Sequence, residues 1–437
     1  MANTAMPQLS KAHSDMLDLL QKESFEYFLQ EVNLSNGLVA DKNKRAWPAS
    51  IAAVGLALST YPVAVERGFI SRADAIARTL AALRFFRNSS QGPEPDATGY
   101  KGFYYHFLEM STGRRAFECE LSIVDTALLL AGMLLAAAYF QQDSQDENEI
   151  RELADWLYRR TDWRWAQNGK ATVTQGWRPE TGFLDYVWEG YDEGLILYLL
   201  GLGSPTYPLP AESYSAWTSS YEWRDIYGYE YLHAGPLFIH QLSHVWVDFR
   251  GIQDAFMREK QIDYFENSRR ATFIQREYAI RNPRGFERYD ALCWGLTASD
   301  GPGPTTISIR GREIEFYDYV ARGVPDGPDD GTLAPWAVAT SLPFAPEIVL
   351  PSLEHFINDV KLKEANPYGF RASFNSTFPH NRKAECGWMS EWHFGLNEGP
   401  IVLMVENYRS GFPWALMRQC PYLIQGLRNA GFTNGWL

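Results

Sequence analysis

Two kinds of helical segment alternate along the chain, and this alternation constrains the fold more than any other feature of the sequence. Segments of the first kind carry charges among apolar residues at helical spacing, as surface helices do. They span residues 9–32, 71–87, 147–160, 263–281, 346–360 and 414–429. Segments of the second kind are more uniformly apolar and rich in small residues, which predicts burial on most sides. They span residues 49–65, 121–140, 194–202, 237–249, 333–342 and 400–406.

Buried helices that each have a more polar companion predict two concentric rings. We therefore expect an all-α fold, the (α/α)6 toroid, with an inner barrel of helices wrapped by an outer layer. Residues 211–234 fit an outer helix least well, because aromatic residues and turn signals are dense there. Residues 299–316 predict a small β excursion. No linker divides the chain, so we expect one catalytic domain over residues 1–437.

Composition and motifs exclude several classes of protein. The net charge of −13 disfavours nucleic acid and anionic membranes as partners. The four cysteines form no C-x-x-C pair, so a zinc site, a redox motif and a disulfide framework are not indicated. The sequence has no P-loop, no G-x-G-x-x-G after a strand and no G-x-S-x-G elbow. We expect no cofactor and no metal.

The N-terminal residues and the longest apolar run bear on location. The first ten residues lack a basic region followed by an apolar run, so no signal peptide is visible. The longest apolar run, residues 127–140, is shorter than a membrane span, so we expect no membrane insertion. These observations predict a cytoplasmic location, or a periplasmic one if the start of the sequence is truncated. The pattern leaves the oligomeric state open.

Charged and aromatic residues gather at the N-terminal ends of the buried segments. In a toroid these ends meet at one mouth and would build one polar cleft. Aromatic residues make up 15% of the chain, and their faces suit the apolar C–H faces of sugar rings. The candidate stacking residues are Trp177, Trp188, Trp294, Trp388 and Trp392. Arg45, His244 and Arg269 are candidates for binding sugar hydroxyls.

Residues 188–194 place three carboxylates in five positions at the start of a buried segment. Crowding by like charges, with Trp188 and Tyr191 as neighbours, raises a carboxyl pKa and favours a general acid. Glu189 and Glu193 are four residues apart and would share one helical face. Glu189 and Tyr191 are also candidate substrate ligands. The alternative is a helix cap made by Asp192 with solvated glutamates beside it.

A second group of carboxylates could supply the catalytic partner. Asp125 lies one turn inside an apolar helix, where a carboxylate needs an ion partner or a function, and Glu120 precedes it. The alternative for Asp125 is an ion pair with Arg45, Arg114 or Arg115. Glu398 follows an aromatic loop at the start of another buried segment. Asp330 is a candidate ligand, although a turn with a helix cap explains its surroundings equally well.

Two further patterns favour structural roles. His240 and His244 are four residues apart, but no glutamate follows the first histidine, so hydrogen bonds that line the ring are favoured over a metal. Glu266 and Arg270, also four residues apart, predict a structural ion pair.

Long runs of the sequence resemble the glycoamylase-like family. They span residues 118–130, 235–250, 263–271, 294–302, 341–347 and 399–411. The resemblance covers most of the chain from about Trp47 onward. It implies an (α/α)6 toroid and likeness to bacterial endo-β-1,2-glucanases, which act with inversion and no metal. A related domain of cyclic β-1,2-glucan synthases closes the ring by transglycosylation.

The resemblance also implies roles for single residues. Glu193 stands where the family has an acidic residue that acts as the acid, and Asp125 stands where a second acidic residue is expected. Ser122 occupies a position where those glucanases carry another carboxylate. Asn397 and Glu398 stand where the family often has Asp and Gln.

Together these observations and the resemblance predict a glycoside hydrolase that acts on β-1,2-glucan, and sophorose is one product that such cleavage could release. Glu193 would protonate the leaving oxygen, and Asp125, then Glu120 or Glu398, would be the second carboxylate. The alternatives are a transglycosylase, a hydrolase of another oligosaccharide or polysaccharide including α-glucan, and a non-catalytic glycan-binding protein.

Overall fold

Helices dominate the computed structural model, which describes residues 9–363, 366–379 and 386–437. The α-helices are α1 (Lys11–Gln30), α2 (Ile51–Glu66), α3 (Arg72–Asn88), α4 (Ile123–Tyr139), α5 (Gln145–Arg159), α6 (Trp163–Ala166), α7 (Leu195–Gly203), α8 (Ala211–Thr218), α9 (Ala255–Lys260), α10 (Tyr264–Arg281), α11 (Pro335–Thr340), α12 (Pro346–Asn358), α13 (Gly395–Arg409), α14 (Phe412–Met417) and α15 (Pro421–Asn429). Two 3₁₀ helices span Leu237–His240 and Leu242–Val245.

The inner layer is a ring of the apolar segments. Helix α2 packs on α4 and α13, α4 packs on α7, and α13 packs on α11 and on the second 3₁₀ helix. The amphipathic helices cover this ring: α3 packs on α2, α5 on α4, α15 on α7, α10 on the first 3₁₀ helix, α12 on α11 and α1 on α13. The expected (α/α)6 toroid is therefore confirmed.

Helices α2 and α4 come into backbone contact through two glycines. A Cβ atom at Gly132 would lie 1.9 Å from the carbonyl oxygen of Gly55. A Cβ atom at Gly55 would lie 2.4 Å from the carbonyl oxygen of Leu128. The small residues of the inner segments thus allow helices of the ring to approach more closely than branched side chains would permit.

The short strands are β1 (Ala49–Ser50), β2 (Gly99–Tyr100), β3 (Phe103–Tyr105), β4 (Phe107–Leu108), β5 (Leu121–Ser122), β6 (Val173–Thr174), β7 (Gly176–Arg178), β8 (Gly182–Phe183), β9 (Val187–Trp188), β10 (Trp223–Ile226), β11 (Tyr229–Leu232), β12 (Ala298–Ser299), β13 (Thr305–Ile309), β14 (Arg312–Phe316), β15 (Val320–Ala321), β16 (Thr332–Leu333), β17 (Phe374–Asn375) and β18 (Trp388–Met389). Strands β2, β3, β5, β7 and β8 form one antiparallel sheet in the order β2-β3-β5-β7-β8.

Several strands fix where inner helices begin. Strand β1 pairs with β4 and runs directly into α2, and β5 pairs with β3 and β7 and runs directly into α4. Strand β16 pairs with β17 just before α11. These pairings hold N-terminal ends of the ring in place and so build the mouth of the toroid.

The structure differs from the sequence prediction in three elements. The fourth inner segment forms two 3₁₀ helices instead of one α-helix. Helix α13 begins at Gly395, so Pro400 lies inside the helix instead of at its start. The last outer segment divides at Cys420, because Pro421 cannot continue the preceding helix. Residues 211–234 form α8 and the hairpin β10–β11. The β13–β14 hairpin confirms the expected β excursion.

No helix within the described residues is both long enough and apolar enough to cross a membrane.

Candidate active site

A cavity of about 450 Å³ lies at the N-terminal ends of the inner segments. Each inner segment contributes to it from its first turn or from the residue just before it. These contributions are Ser50, Asp125, Glu193, Phe238, Trp336 and Asn397. Depressions elsewhere on the surface also carry carboxylates, namely Asp15, Asp18 and Glu66 in one and Glu230 and Glu266 in another. The inner-ring cavity differs from these two in combining its carboxylates with tryptophan rings, Trp47 and Trp336, which makes it the candidate site for paired acid chemistry on a sugar.

Glu193 lies in this cavity directly before α7, in the turn that precedes the helix. Burial raises its pKa to about 8, and the charges of Asp125 and Asp192 act in the same direction. Among the described residues, none hydrogen-bonds to its carboxyl group. Glu193 is therefore protonated at neutral pH and has its proton free to donate.

The expectation that Glu189 and Glu193 share a helical face is wrong. Helix α7 begins only at Leu195, so both glutamates lie in the preceding turn. Glu189 is exposed, while Glu193 faces the cavity. Gly190, with a φ of 85°, turns the backbone between them, and few other residues adopt this conformation.

Asp125 lies in the first turn of α4 and lines the same cavity. The Ser122 hydroxyl donates a hydrogen bond of 2.5 Å to its Oδ2 atom. The arginines predicted as ion partners of Asp125 are not paired with it among the described residues: Arg114 pairs with Asp96, Arg115 pairs with Glu180, and Arg45 forms no ion pair with Asp125. The Asp125 side chain is 13% exposed, so its carboxylate is accessible from the cavity.

His106 connects Asp125 with Glu120, and the sequence analysis missed it. Its Nδ1 atom lies 2.9 Å from Glu120 Oε1, and its Nε2 atom lies 3.6 Å from Asp125 Oδ2. Burial lowers the pKa of His106, but the carboxylates of Asp125, Glu120 and Asp41 outweigh burial and raise it to about 9. The site therefore holds an imidazolium between two carboxylates.

The signal for His106 was absent from the local sequence. His106 is a lone histidine in a run of aromatic residues, a pattern that ordinarily indicates a core strand. Its position depends on the pairing of β3 with β5, which puts Tyr105 opposite Leu121. Strand pairing between short, separate segments does not follow from periodicity.

The loop before α2 adds a second group that the sequence analysis did not select. Trp47 Nε1 donates a hydrogen bond of 3.1 Å to Asp41 Oδ2, and burial raises the pKa of Asp41. Lys42 Nζ lies 4.3 Å from the centre of the Trp47 ring. All three side chains line the cavity. Further aromatic wall is supplied by Phe107, Phe238, Tyr319, Trp336 and Phe394.

The two other candidate acids lie outside the cavity lining. Glu120 pairs with His106 and lies 3.9 Å from Arg178. Burial raises the pKa of Glu120, but the hydrogen bond and the charge of His106, a backbone hydrogen bond and the charge of Arg178 together outweigh burial and lower it. Glu398 is 1% exposed, and its Oε1 atom lies 3.1 Å from His393 Nδ1. Its neighbour Asn397 lines the cavity instead.

Five candidate sugar ligands make contacts within the fold and do not line the cavity. Trp294 is fully buried and donates to Ser352 Oγ at 2.9 Å. Asp330 accepts two bonds of 2.8 Å from Arg322. His244 contacts Ser268 Oγ at 3.0 Å. Tyr191 packs against the rings of Tyr221, His240 and Tyr264. Arg269 donates to the carbonyl oxygen of Phe344 at 2.7 Å and pairs with Glu347.

The remaining candidates lie in loops or short strands and do not line the cavity. They are Arg45, Trp177, Trp188, Glu189, Trp388 and Trp392. Trp392 is near the wall, since Lys42 Nζ lies 5.8 Å from its ring centre. Trp177 pairs with Leu121 across β5 and β7, and its ring packs on Tyr100. Their roles in sugar binding stay predictions. The expected ion pair between Glu266 and Arg270 is confirmed at 2.8 Å.

The comparisons with known proteins agree on one family. The family model "Glycoamylase: Putative glucoamylase" matches residues 185–421. A solved structure from Bacteroides uniformis, described as a "putative glucoamylase", is 31% identical with a TM-score of 0.85, covering 99% of this chain and 100% of that one. An endo-β-1,2-glucanase from Chitinophaga pinensis, solved with sophorotriose and glucose, is 26% identical with a TM-score of 0.84, covering 98% and 100%.

A curated relative from Parabacteroides distasonis is an exo β-1,2-glucooligosaccharide sophorohydrolase that acts at the non-reducing end. It is 27% identical over 94% of this chain, and the chain spans 57% of its length. The family model and the B. uniformis structure together cover the inner ring and its cavity. The chain belongs to the glycoamylase family.

Proposed function

We propose that this chain hydrolyses β-1,2-linked glucan or its oligosaccharides in the inner-ring cavity. The observation that carries the proposal is the pair Glu193 and Asp125: both line one cavity, and Glu193 has a pKa of about 8. A carboxyl group that is neutral at pH 7 beside a second, accessible carboxylate is the equipment of a glycoside hydrolase. The C. pinensis and P. distasonis relatives, which act on β-1,2-linked glucans, support this linkage.

The reaction needs one proton donor and one proton acceptor. Glu193 donates its proton to the glycosidic oxygen as the bond from that oxygen to the anomeric carbon breaks. Asp125 takes a proton from a water molecule, whose oxygen bonds to the anomeric carbon. The leaving sugar departs with the Glu193 proton, and the other product carries the new hydroxyl group. The resting state returns when the proton on Asp125 passes to Glu193 through solvent.

The surroundings of Asp125 suit its role as the base. The Ser122 hydroxyl and the His106 imidazolium both contact Oδ2, which leaves Oδ1 to accept the proton. Glu120 holds the far side of the imidazole at 2.9 Å and so orients the ring.

The walls suit a neutral sugar. Trp47, Phe107, Phe238, Tyr319 and Trp336 offer ring faces and edges to the C–H surfaces of glucosyl units. Asp41, Lys42 and Asn397 supply hydrogen-bonding groups for hydroxyls. We propose one catalytic domain over the whole chain, with an oligosaccharide or polysaccharide as the substrate.

The test is incubation with linear β-1,2-, β-1,3- and α-1,4-glucans, followed by chromatography of the products and determination of their anomer. We expect cleavage of β-1,2-glucan, and the product sizes distinguish internal cleavage from release of disaccharide units. Inverted product would fit water activated by Asp125, whereas retained product would make Asp125 the nucleophile. Cleavage of α-1,4-glucan alone, or saturable binding of β-1,2-glucan without cleavage, would refute the proposal.

A further inference from the structure

The loop between β4 and β5 contains a tight turn with an unusual backbone. The Cys119 N–H donates to the Ala116 carbonyl oxygen at 3.1 Å, so Phe117 and Glu118 are the central residues of the turn. Their φ angles are 56° and 47°. Positive φ at both central positions is the pattern of a type I′ turn, which favours Asn followed by Gly. Phenylalanine and glutamate cost free energy in this conformation.

Buried Arg115 holds the strained turn from beneath. Its Nε atom donates to the Cys119 carbonyl oxygen at 2.6 Å, and its Nη2 atom donates to the Glu118 carbonyl oxygen at 2.7 Å. The side chain is 2% exposed and pairs with Glu180 at 2.7 Å. The Ala116 N–H also donates to the Phe107 carbonyl oxygen at 2.9 Å. These contacts fix the direction in which Phe117 points.

The turn presents an apolar ring to solvent at the edge of the cavity. Phe117 is 61% exposed. Its ring centre lies 5.2 Å from that of Trp47 and 5.9 Å from that of Phe107, and both of these residues line the cavity. Phe117 therefore continues the aromatic wall outward, beyond the space that Glu193 and Asp125 share. Strained backbone clusters at ligand-binding sites, and here the strain places an apolar ring at the edge of a cavity.

We propose that Phe117 is a stacking platform for the glucosyl unit of the substrate that emerges from the cavity. This inference rests on the proposed function, because it takes a β-1,2-linked chain as the occupant. The exposed face of Phe117 binds the C–H face of that unit, while Trp47 and Phe107 keep the ring in place. Phe117 then sets the preference for longer chains without contacting the bond that breaks.

The turn offers a variant that removes the ring without harming the fold. Asparagine tolerates positive φ, so Phe117→Asn keeps the turn and relieves its strain. We expect its melting temperature to equal or exceed that of the wild type. We expect KM to rise roughly tenfold for a heptasaccharide, about the loss of one good stacking contact, and the rise to shrink as the chain shortens toward the disaccharide. Phe117→Tyr keeps the ring and should restore the preference for length.

The control is Tyr207→Asn, which removes another exposed aromatic ring beyond the C-terminal end of α7, the end away from Glu193. It should leave KM unchanged at every length. The wild-type activity on the β-1,2-linked series tests the proposed function by itself, and complete inactivity would overturn that function and the inference with it. If the wild type is active but the KM ratio of Phe117→Asn to wild type is the same at every length, the platform alone is refuted.

Discussion

Among single residues, Glu193 carries the most specific expectation. Its raised pKa means that the proton needed for catalysis is present below about pH 8 and is lost as the pH rises through that value. We expect kcat/KM on β-1,2-glucan to fall on the alkaline side with a midpoint near pH 8. Replacing Glu193 with Gln removes the proton donor and should lower kcat by about 10²- to 10⁴-fold.

The same variant should not unfold more easily. A carboxyl whose pKa is raised in the folded state favours folding at low pH, and this contribution is lost as the pH rises from about 4.5 to about 8. Glutamine stays neutral, so the melting temperature of Glu193→Gln at pH 8 should match or exceed that of the wild type. The exposed Glu152, on α5, gives the control Glu152→Gln, which should change neither quantity. Normal turnover by Glu193→Gln would remove Glu193 from the mechanism.

His106 acts through the residues beside it. In His106→Gln, the positive charge between Glu120 and Asp125 is gone. Loss of this charge raises the pKa of Glu193, which His106 lowers in the wild type. We expect kcat to fall by at least roughly tenfold and the alkaline limb of the pH–rate profile to move to higher pH.

A merely structural role for His106 would lower activity equally at all pH values and leave the alkaline limb in place, which is the outcome that contradicts this prediction. His355 supplies the matched control. It lies on the outer helix α12 and pairs with Asp359 at 2.7 Å, as His106 pairs with Glu120. His355→Gln should leave the pH–rate profile unchanged.

At the scale of helices and strands, the crossing of α2 and α4 is one of the tightly constrained helix contacts. Gly132→Ala would place a methyl group 1.9 Å from the Gly55 carbonyl oxygen, so the two helices must move apart. We expect a loss of about 1–3 kcal/mol in the free energy of unfolding, measured by denaturant titration. Asp125 lies in the first turn of α4, so a shift of this helix displaces its carboxylate and activity should fall as well.

Gly235→Ala is the control for Gly132→Ala. A Cβ atom there would meet its nearest neighbour at 3.5 Å, an ordinary contact. We expect a change within about 0.5 kcal/mol. Equal stability losses in the two alanine variants would show that the close helix contact has no special weight.

The elements also show where sequence reasoning succeeds and where it ends. Helical periodicity and apolar character located the inner and outer layers, because burial of a helix face imposes a regular spacing. The acid residues at the starts of α4 and α7 followed from the same pattern, since a carboxylate beside an apolar helix is costly without a partner. His106, Asp41 and Phe117 could not be found in this way. Their positions depend on pairing between short strands and on a strained turn, neither of which helical periodicity reveals.

Exposure was also hard to judge from sequence. Trp294 is predicted from the sequence to stack on a sugar ring and Asp330 to contact the substrate. In the structure, Trp294 donates a hydrogen bond to Ser352 in the core, and Asp330 forms a buried ion pair with Arg322. Aromatic and charged side chains serve packing as readily as binding, and only their three-dimensional neighbours distinguish the two roles.

For the molecule as a whole, contacts of α1 and α2 with α13 close the ring. Helix α1 packs on α13, and Gln21 donates to the Val402 carbonyl oxygen and to Glu406, both at 3.0 Å. Glu406 is 3% exposed and accepts two hydrogen bonds from Arg67 at the end of α2. The contacts that close the ring thus join α1 and the first inner helix, α2, to the last inner helix, α13.

A ring closed in this way should unfold as one unit. We expect one calorimetric transition for the wild type, with loss of activity at the same temperature, as for a single domain. Glu406→Gln leaves the partly exposed Arg67 guanidinium without its carboxylate and should move the entire transition down by a few degrees, because the loss of charge-assisted hydrogen bonds costs about 1.5–3 kcal/mol. Glu259→Gln, which breaks an exposed pair with Lys260, should leave it in place. Two separate transitions, or a shift of only one part in Glu406→Gln, would mean that the chain folds as more than one domain.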